Sequence, residues 1–532
     1  MSKNQYDVVI IGAGHNGLVA ANYLARDGLS VLLLERRDII GGGSTTEEFS
    51  PGFLVSNCAT SVWGLQPKII DELELRKHGF ELVETGMPRL GSSANVSANS
   101  RTRVHVFPDG TYIGGPSIKT DDDKIAQIRE MSAHDAEAFP KWVEFWESAG
   151  SIFQPYLMTE PPTLAEVMRV VAGTPKEDIL EKLLTWSYLD LVHDFFENEY
   201  VKAHVINPGV HESDPSAPGS PLAAAIFSTV SFGSRNGDRG IPRMGMGTIT
   251  ASIAGSARSV GVEIRTEAPV REVIVEDGIA AGVRLENGEE IRSRLVVSNA
   301  DPKRTFTTLF RDGDVDKETL KRVKRWKTQA GCLKFLAAMK ELPDLSRYLG
   351  DDYDREQIVG MKILPSVEYY QKSWNDAAAG IPTRYPALGI QLSTTVDHGL
   401  TDGRGHVMAT YAPFAAGKLA AGTWDDAKQG VGERIVDLIT ECAPNFRDSL
   451  IDWEVKTPLD IQRRVGMTDG NIRHLDMIPS QLLAQRQPYR TSVKNFYMCG
   501  AGTHPMGEVI GVPGHNAAHA ILKDLKEGDF LT

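Results

Sequence analysis

Three glycines set the first chemical constraint. Gly12, Gly14 and Gly17 stand at G-x-G-x-x-G spacing in Gly12-Ala13-Gly14-His15-Asn16-Gly17. An apolar run, Val8 to Ile11, precedes them, and a helix-patterned stretch, Leu18 to Arg26, follows. Glu35 closes the next apolar run, Val31 to Leu34, where the fingerprint wants an acid about 20 residues on. Strand, glycine turn, helix, strand and acid in that order hold a dinucleotide. Gly12 permits the tight turn, Gly14 lets the backbone approach a pyrophosphate, and Gly17 lets the helix pack on the sheet. The helix start offers free N–H groups and partial positive charge to the phosphates. Glu35 is placed to accept hydrogen bonds from ribose hydroxyls. His15, inside the turn, is expected to contact cofactor or hold the turn, not to catalyse.

The fingerprint suits NAD and FAD alike. Two further segments favour FAD. Gly41-Gly42-Gly43 supplies a second close backbone approach just after Glu35. Phe496 to His504 is a strand that ends in Gly500-Ala501-Gly502 and leads toward a helix. Such a turn can point N–H groups at a flavin ring and favour its reduced, anionic form. Within this closing segment His504, Glu508 and His515 are the candidates for proton handling. The competing readings are a backbone-bonded histidine, a solvent-facing loop acid and a helix cap. Cys499 has the chemistry to tether a flavin, but its strand reads as core, and so does Cys58; the expected attachment is non-covalent. Arg243 could bind an anionic substrate group or support its loop. No metal site is expected.

The surrounding elements are readable in outline. Residues 6–35 pattern as strand, turn, helix and strand, with apolar runs suited to a buried parallel sheet. Residues 36–60 read as an ordered Gly-, Ser- and Thr-rich loop. Helix dominates 120–205, with Phe139, Trp142, Phe145, Trp146 and Phe153 clustered. That stretch reads as the core of an inserted domain, with a substrate channel or a membrane-resting face as alternatives. Its charges, Lys141, Glu144 and Glu147, are interleaved and give anionic lipid no attraction. Strands return over 259–301, where Asn287-Gly288 signals a hairpin. Further strands are expected near 333–339, 388–394 and 495–499, and a last helix near 513–526.

Composition excludes several classes. Of 532 residues, 41% are hydrophobic and 24% charged, the balance of a globular protein with a sizeable core. At about 150 residues per domain the length suggests three or four units. The net charge of −13 argues against nucleic acid as a partner. Cys58, Cys332, Cys442 and Cys499 form no C-x-x-C, which leaves disulfide-reductase chemistry no residues to run on. No signal-peptide pattern opens the chain. Cytoplasmic residence is the expectation, with peripheral contact at a membrane as an option.

The chain resembles flavoproteins of the phytoene desaturase superfamily, and within it the pyridine nucleotide-disulphide oxidoreductase domain-containing protein 2 branch. The resemblance rests on Gly12 to Gly17 with Glu35, Gly42 to Phe53, Asp71 to Gly79, Asp135 to Trp142, Pro242 to Gly247, Ser298 to Pro302 and Gly500 to Ala518. It implies an α/β fold of the amine oxidase/phytoene desaturase kind. A discontinuous Rossmann-type FAD-binding domain (1–115, 235–305 and 490–532) would carry an inserted α+β substrate-binding domain (116–234 and 306–489). The expected cofactor-binding set is Gly12, Ala13, Gly14, His15, Asn16, Gly17, Glu35, Arg36, Gly42, Gly43, Ser44, Val270, Gly500, Ala501, Gly502, Gly511 and Val512, with the Val270 backbone meeting the adenine. Two departures stand out. Met506-Gly507-Glu508 replaces a glycine run common in relatives, which would narrow the space near the flavin, and Ser44 stands where many relatives have Arg.

The implied activity is FAD-dependent removal of hydride from a C–H bond of a hydrophobic small molecule, usually a desaturation. Electrons would pass to oxygen or a quinone. A flavin amine oxidase is the alternative enzyme and would need an aromatic cage; Trp63 and Tyr497 are not placeable from sequence. A non-catalytic flavoprotein scaffold is the alternative of another class. A flavin hydroxylase is disfavoured, because its Gly-Asp flavin motif is absent from Gly500-Ala501-Gly502. A homo-oligomer is a further expected option.

Overall fold

A computed structural model describes residues 5–85, 102–207, 213–233 and 238–528. Its first sheet is organised around β1 (Gln5–Ile11), which pairs in parallel with β2 (Val31–Leu34) and β6 (Glu290–Ser298). β3 (Glu263–Arg265) extends the sheet beyond β2, and β7 (Phe496–Met498) pairs in parallel with the end of β6. β4 (Val270–Glu276) and β5 (Ile279–Leu285) form an antiparallel meander onto the start of β6. The Asn287-Gly288 turn closes β5 to β6, with Gly288 at φ +90°, a conformation glycine adopts without a Cβ clash.

Helices cover both faces, as the continuous apolar runs require. Val8 and Ile10 pack with Leu18 and Leu24 of α1 (His15–Arg26), Ile253 of α2 (Gly247–Ser259) and Ile521 of α3 (Val512–Glu527). Val9 and Ile11 pack on the other side with Leu34, Val296, Phe306 and Phe496. Register then brings four strand ends to one edge. Ile11 lies opposite Leu34 and Ser298, and Ser298 lies opposite Met498. The segments beginning at Gly12, Glu35, Asn299 and Cys499 therefore leave the sheet side by side at the carboxyl ends of its parallel strands, where open α/β sheets bind ligands.

The second sheet runs Leu450–Lys456, Ala330–Met339, His406–Ala416, Leu388–Gln391, Ile358–Ile363, Thr102–Val106, Tyr112–Gly114. Helix Trp424–Cys442 covers one face through Ile435 and Ile439 against Leu333 and Phe335. Alternation turns Lys334 and Leu336 to the opposite face, where Leu336 meets Val55. Val55 belongs to the hairpin Thr46–Ser50/Phe53–Ser56, which occupies part of the segment read from sequence as loop.

Two expected boundaries are corrected. The strands Thr102–Val106 and Tyr112–Gly114 belong to the second sheet, so the first stretch does not run to 115. Phe306, Leu309, Val323 and Trp326 pack on the first sheet, so that body does not stop at 305. In both cases the partner is remote in sequence.

The aromatic helix Ala133–Phe153 is core. Trp142 and Trp146 are each 1% exposed, and Trp142 meets Trp146, Tyr188, Phe195 and Phe196 edge-on. Its rings therefore face protein, not a membrane surface. Among the described residues no helix is long and apolar enough to cross a membrane.

Candidate active site

A cavity of about 460 Å³ opens at the edge where the four segments leave the first sheet. Gly12, Gly14, His15, Asn16, Glu35, Arg36, Gly42, Gly43, Ser44, Val270, Ala501 and Glu508 line it. The expected residues Ala13, Gly17, Gly500, Gly502, Gly511 and Val512 are not among the residues that line it.

The glycine turn is held from three sides. Gly12 N–H donates to the Leu34 carbonyl at 2.7 Å, and Gly41 N–H donates to the Ala13 carbonyl at 2.8 Å. Asn299 donates its side-chain amide to the Gly12 carbonyl at 3.2 Å. A Cβ on Gly17 would lie 2.3 Å from the Gly12 carbonyl oxygen, so only glycine lets α1 start there. Gly42, at φ +61°, passes so near that its Cβ would sit 3.2 Å from the Gly14 Cα. Gly500 and Gly502 make comparable approaches, to the Asn299 carbonyl and to Pro302.

Two helix starts converge. α1 is capped by Gly14 and α3 by Gly511, neither with a side-chain acceptor. A Cβ on Gly514 in the first turn of α3 would lie 2.2 Å from the Asn16 carbonyl oxygen, so the two ends touch. Neither first turn contains an acid, which leaves both partial positive charges for an anion.

Glu35 has two tasks. Its carboxylate accepts the Ala13 and Arg37 N–H groups, each at 3.0 Å, and so pins the turn to β2. A carboxylate has about four acceptor positions, which leaves capacity toward the cavity. Arg36 donates to the Arg463 and Arg464 carbonyls, which draws the 463–466 segment over the same end.

The lining contains polar atoms that no protein group satisfies. His15 Nε2, Asn16 Oδ1 and His474 Nδ1 are buried without hydrogen-bond partners. Burial pushes His15 down to about 4 and His474 down to about 3, the latter helped by Arg486 and His15. Both rings are therefore neutral near pH 7. Orphaned buried atoms in a native fold point to a ligand that satisfies them. Together with the Gly14–Gly42 cradle and the two uncapped helix starts, they fit a pyrophosphate-bearing cofactor.

The catalytic candidates separate. Glu508 lines the cavity and is ion-paired with Arg473, whose guanidinium also donates to the Gly507 carbonyl. His504 lies outside the lining; its Nε2 meets the Tyr156 carbonyl at 2.9 Å, and burial holds it down at about 4. His515 is also displaced from the cavity: its ring stacks on His519 at 4.0 Å and meets Tyr23 edge-on. Arg243 forms an exposed bidentate pair with Glu81 at 2.8 Å, which supports its loop. Cys499 is core, and burial raises its thiol.

Several cavity residues escaped sequence reasoning. Arg473 and His474 sit in an irregular segment with no periodic signal. Cys58 and Met467 also line the wall. Behind Cys58 stands Lys334, 1% exposed, its amine without a hydrogen-bond partner and pushed down to about 8 by burial. The available signal was a lone lysine within an otherwise apolar strand, Gly331-Cys332-Leu333-Lys334-Phe335-Leu336.

This fold and cavity define a FAD-dependent oxidoreductase. The chain belongs to the flavin containing amine oxidoreductase family, which matches residues 17–514. It is 31% identical to rat (Rattus norvegicus) pyridine nucleotide-disulfide oxidoreductase domain-containing protein 2, over 98% of this chain and 94% of that protein. It is 26% identical to a component of the limonene dehydrogenase of Castellaniella defragrans, over 98% and 95%. A cofactor-binding redesign of putrescine oxidase shares the fold at TM-score 0.59 and 14% identity, covering 98% of this chain and 99% of that one.

Proposed function

We propose that the chain removes hydride from a C–H bond of a hydrophobic small molecule and passes the electrons to oxygen or a quinone. FAD supplies the hydride acceptor. On this reading the α1 start and Gly12 to Gly17 hold the pyrophosphate, Glu35 the ribose, and Val270 the adenine. Gly42 to Ser44 approach the cofactor along one wall, and Ala501 with the α3 start at Gly511 and Val512 faces the flavin end. Glu508 is the acid positioned to take up a proton beside the substrate, with Arg473 fixing its carboxylate.

The observation that carries the choice is the make-up of the wall. Met467, Ile472, Cys58, Ala59 and Val509 line the same cavity as Glu508. Among the described residues that line it, none is Phe, Tyr or Trp. Facing rings to hold an ammonium are thus missing from this wall, whereas apolar closure suits a hydrocarbon. The likeness to a limonene dehydrogenase component agrees with this choice.

The test is anaerobic mixing of the FAD-loaded protein with a cyclic monoterpene, a polyene and a primary amine. Loss of the flavin's visible absorbance with a hydrocarbon and not with the amine is the expected result. Bleaching by the amine alone would replace this reading with amine oxidation. Bleaching by none of them, at full FAD content, would favour the scaffold. Peroxide on re-oxidation separates oxygen from a quinone as acceptor.

A further inference from the structure

Arg486 is a buried cation that the reaction as described does not use. It is 1% exposed and spends its donors on neutral acceptors. Nε donates to the Thr503 carbonyl at 3.0 Å, and Nη2 donates to the Arg473 and Ala501 carbonyls, each at 2.7 Å. Nη1 donates to the Gln481 carbonyl at 3.2 Å and meets Met477 Sδ at 3.8 Å. None of these partners is a carboxylate. The acid facing it is Asp476, whose oxygens take the Gln329 and Ala330 N–H groups and the Asn471 amide. The neighbouring cation, Arg473, already has Glu508.

The placement has two physical consequences. First, one rigid fork ties the 473 and 481 segments to the 501–503 turn, so it sets the cavity wall at Arg473 and Ala501. A trans peptide directs C=O and the next N–H oppositely. Drawing the Ala501 carbonyl to Arg486 therefore turns the Gly502 N–H away from it. Second, a positive charge lies one peptide behind the wall, in a medium where charge acts more strongly than in water. Burying a guanidinium that is bonded to no carboxylate is expensive.

We propose that Arg486 is a positioning residue whose charge, bonded to no carboxylate, favours the reduced, anionic state of a flavin held against Ala501. This rests on the reading that Ala501 faces the flavin end. Burial holds Arg486 down at about 9, still cationic near neutrality.

The decisive experiment compares Met477→Glu with Met477→Gln in the FAD-loaded protein. The two side chains are alike in size, and only the glutamate offers Arg486 a carboxylate. The measurement is the midpoint potential of bound FAD, by dye-coupled reduction. The expected result is reduction at least tenfold less favourable in Met477→Glu than in Met477→Gln, which is about 30 mV for a two-electron couple. Equal potentials with FAD bound in both would overturn the proposal. Arg486→Lys gives a second measurement should Met477→Glu not fold: it keeps the charge and loses the fork. Its potential should stay near the parent value while thermal stability falls; a potential lowered tenfold or more in reduction equilibrium would overturn the electrostatic role. Failure of the underlying reading shows separately. If Ala501 does not face flavin, Ala501→Leu would leave FAD affinity and the flavin spectrum unchanged, and the proposal would fall with it.

Discussion

A Cβ placed on Gly14 would lie 2.7 Å from Nδ2 of Asn299, the amide that donates to the Gly12 carbonyl. The turn that opens the chain and the segment that follows β6 therefore share one small space. Asn299 by itself thus disfavours a side chain at Gly14.

That relationship predicts a non-additive pair. Gly14→Ala should displace the Asn299 amide, break its bond to Gly12 and weaken FAD binding; Gly14→Val should yield colourless protein. In an Asn299→Ala background the added methyl meets less, so the double variant should retain more FAD than the two single losses predict. A coupling of about 1 kcal/mol is expected for residues in contact. FAD dissociation constants for the four proteins measure it, and strict additivity would contradict the shared-space account.

Glu508→Gln should slow substrate oxidation and also lower stability. The pair with Arg473 is largely buried, at 19% and 4% side-chain exposure. Removing the negative partner leaves the guanidinium uncompensated, for a loss of about 1.5–3 kcal/mol by the scale of charged hydrogen bonds. Urea unfolding and single-turnover flavin reduction test the two effects separately. Unchanged turnover would remove Glu508 from proton handling; unchanged stability would mean that Arg473 finds another acceptor.

Lys334→Met should raise stability. The amine is buried with no hydrogen-bond partner and only the Tyr411 ring, 5.7 Å away, to offset its charge, so an apolar side chain of similar length removes an unfavourable group. The sign of the pH effect follows from the downward shift, from 10.5 to about 8. Between those values the unfolded chain binds more protons than the folded one, so the parent gains stability as pH rises through that window. The gap in melting temperature between Lys334→Met and the parent should therefore narrow from pH 8 to pH 10.5. A gap independent of pH would contradict a buried, destabilising amine at Lys334.

His504→Gln should leave flavin reduction nearly intact. Its ring meets the Tyr156 carbonyl outside the cavity, and the loss is that of one hydrogen bond, about 1 kcal/mol. His515→Gln should behave alike, since its ring packs on His519 and Tyr23. A large fall in turnover at full FAD content in either variant would return that histidine to the chemistry.

Local signals made the first half of the site legible. Val8 to Ile11, Gly12, Gly14, Gly17 and Glu35 lie within one strand–turn–helix–strand unit, and their roles in packing follow from spacing alone. The Asn287-Gly288 hairpin and the last strand and helix were readable for the same reason. The hairpin at Thr46–Ser56 was hidden by a Gly-, Ser- and Thr-rich composition, and it is stabilised by packing on a remote strand through Val55 and Leu336.

By itself the sequence determined that a dinucleotide-binding βαβ unit opens this protein and that a strand ending in Gly500-Ala501-Gly502 completes it. Turn and sheet geometry demand glycine at those places whatever surrounds them. Only the tertiary structure decided which polar side chains reach the cavity. Glu508, His504 and His515 look equivalent along the chain, yet one lines the wall and two pack elsewhere. Arg473, His474, Lys334 and Arg486 carry no periodic or motif signal. Their burial, and with it their charge states, arises from contacts between segments that fold back on one another, as when Arg486 meets Ala501 and Thr503 and Arg473 meets Glu508.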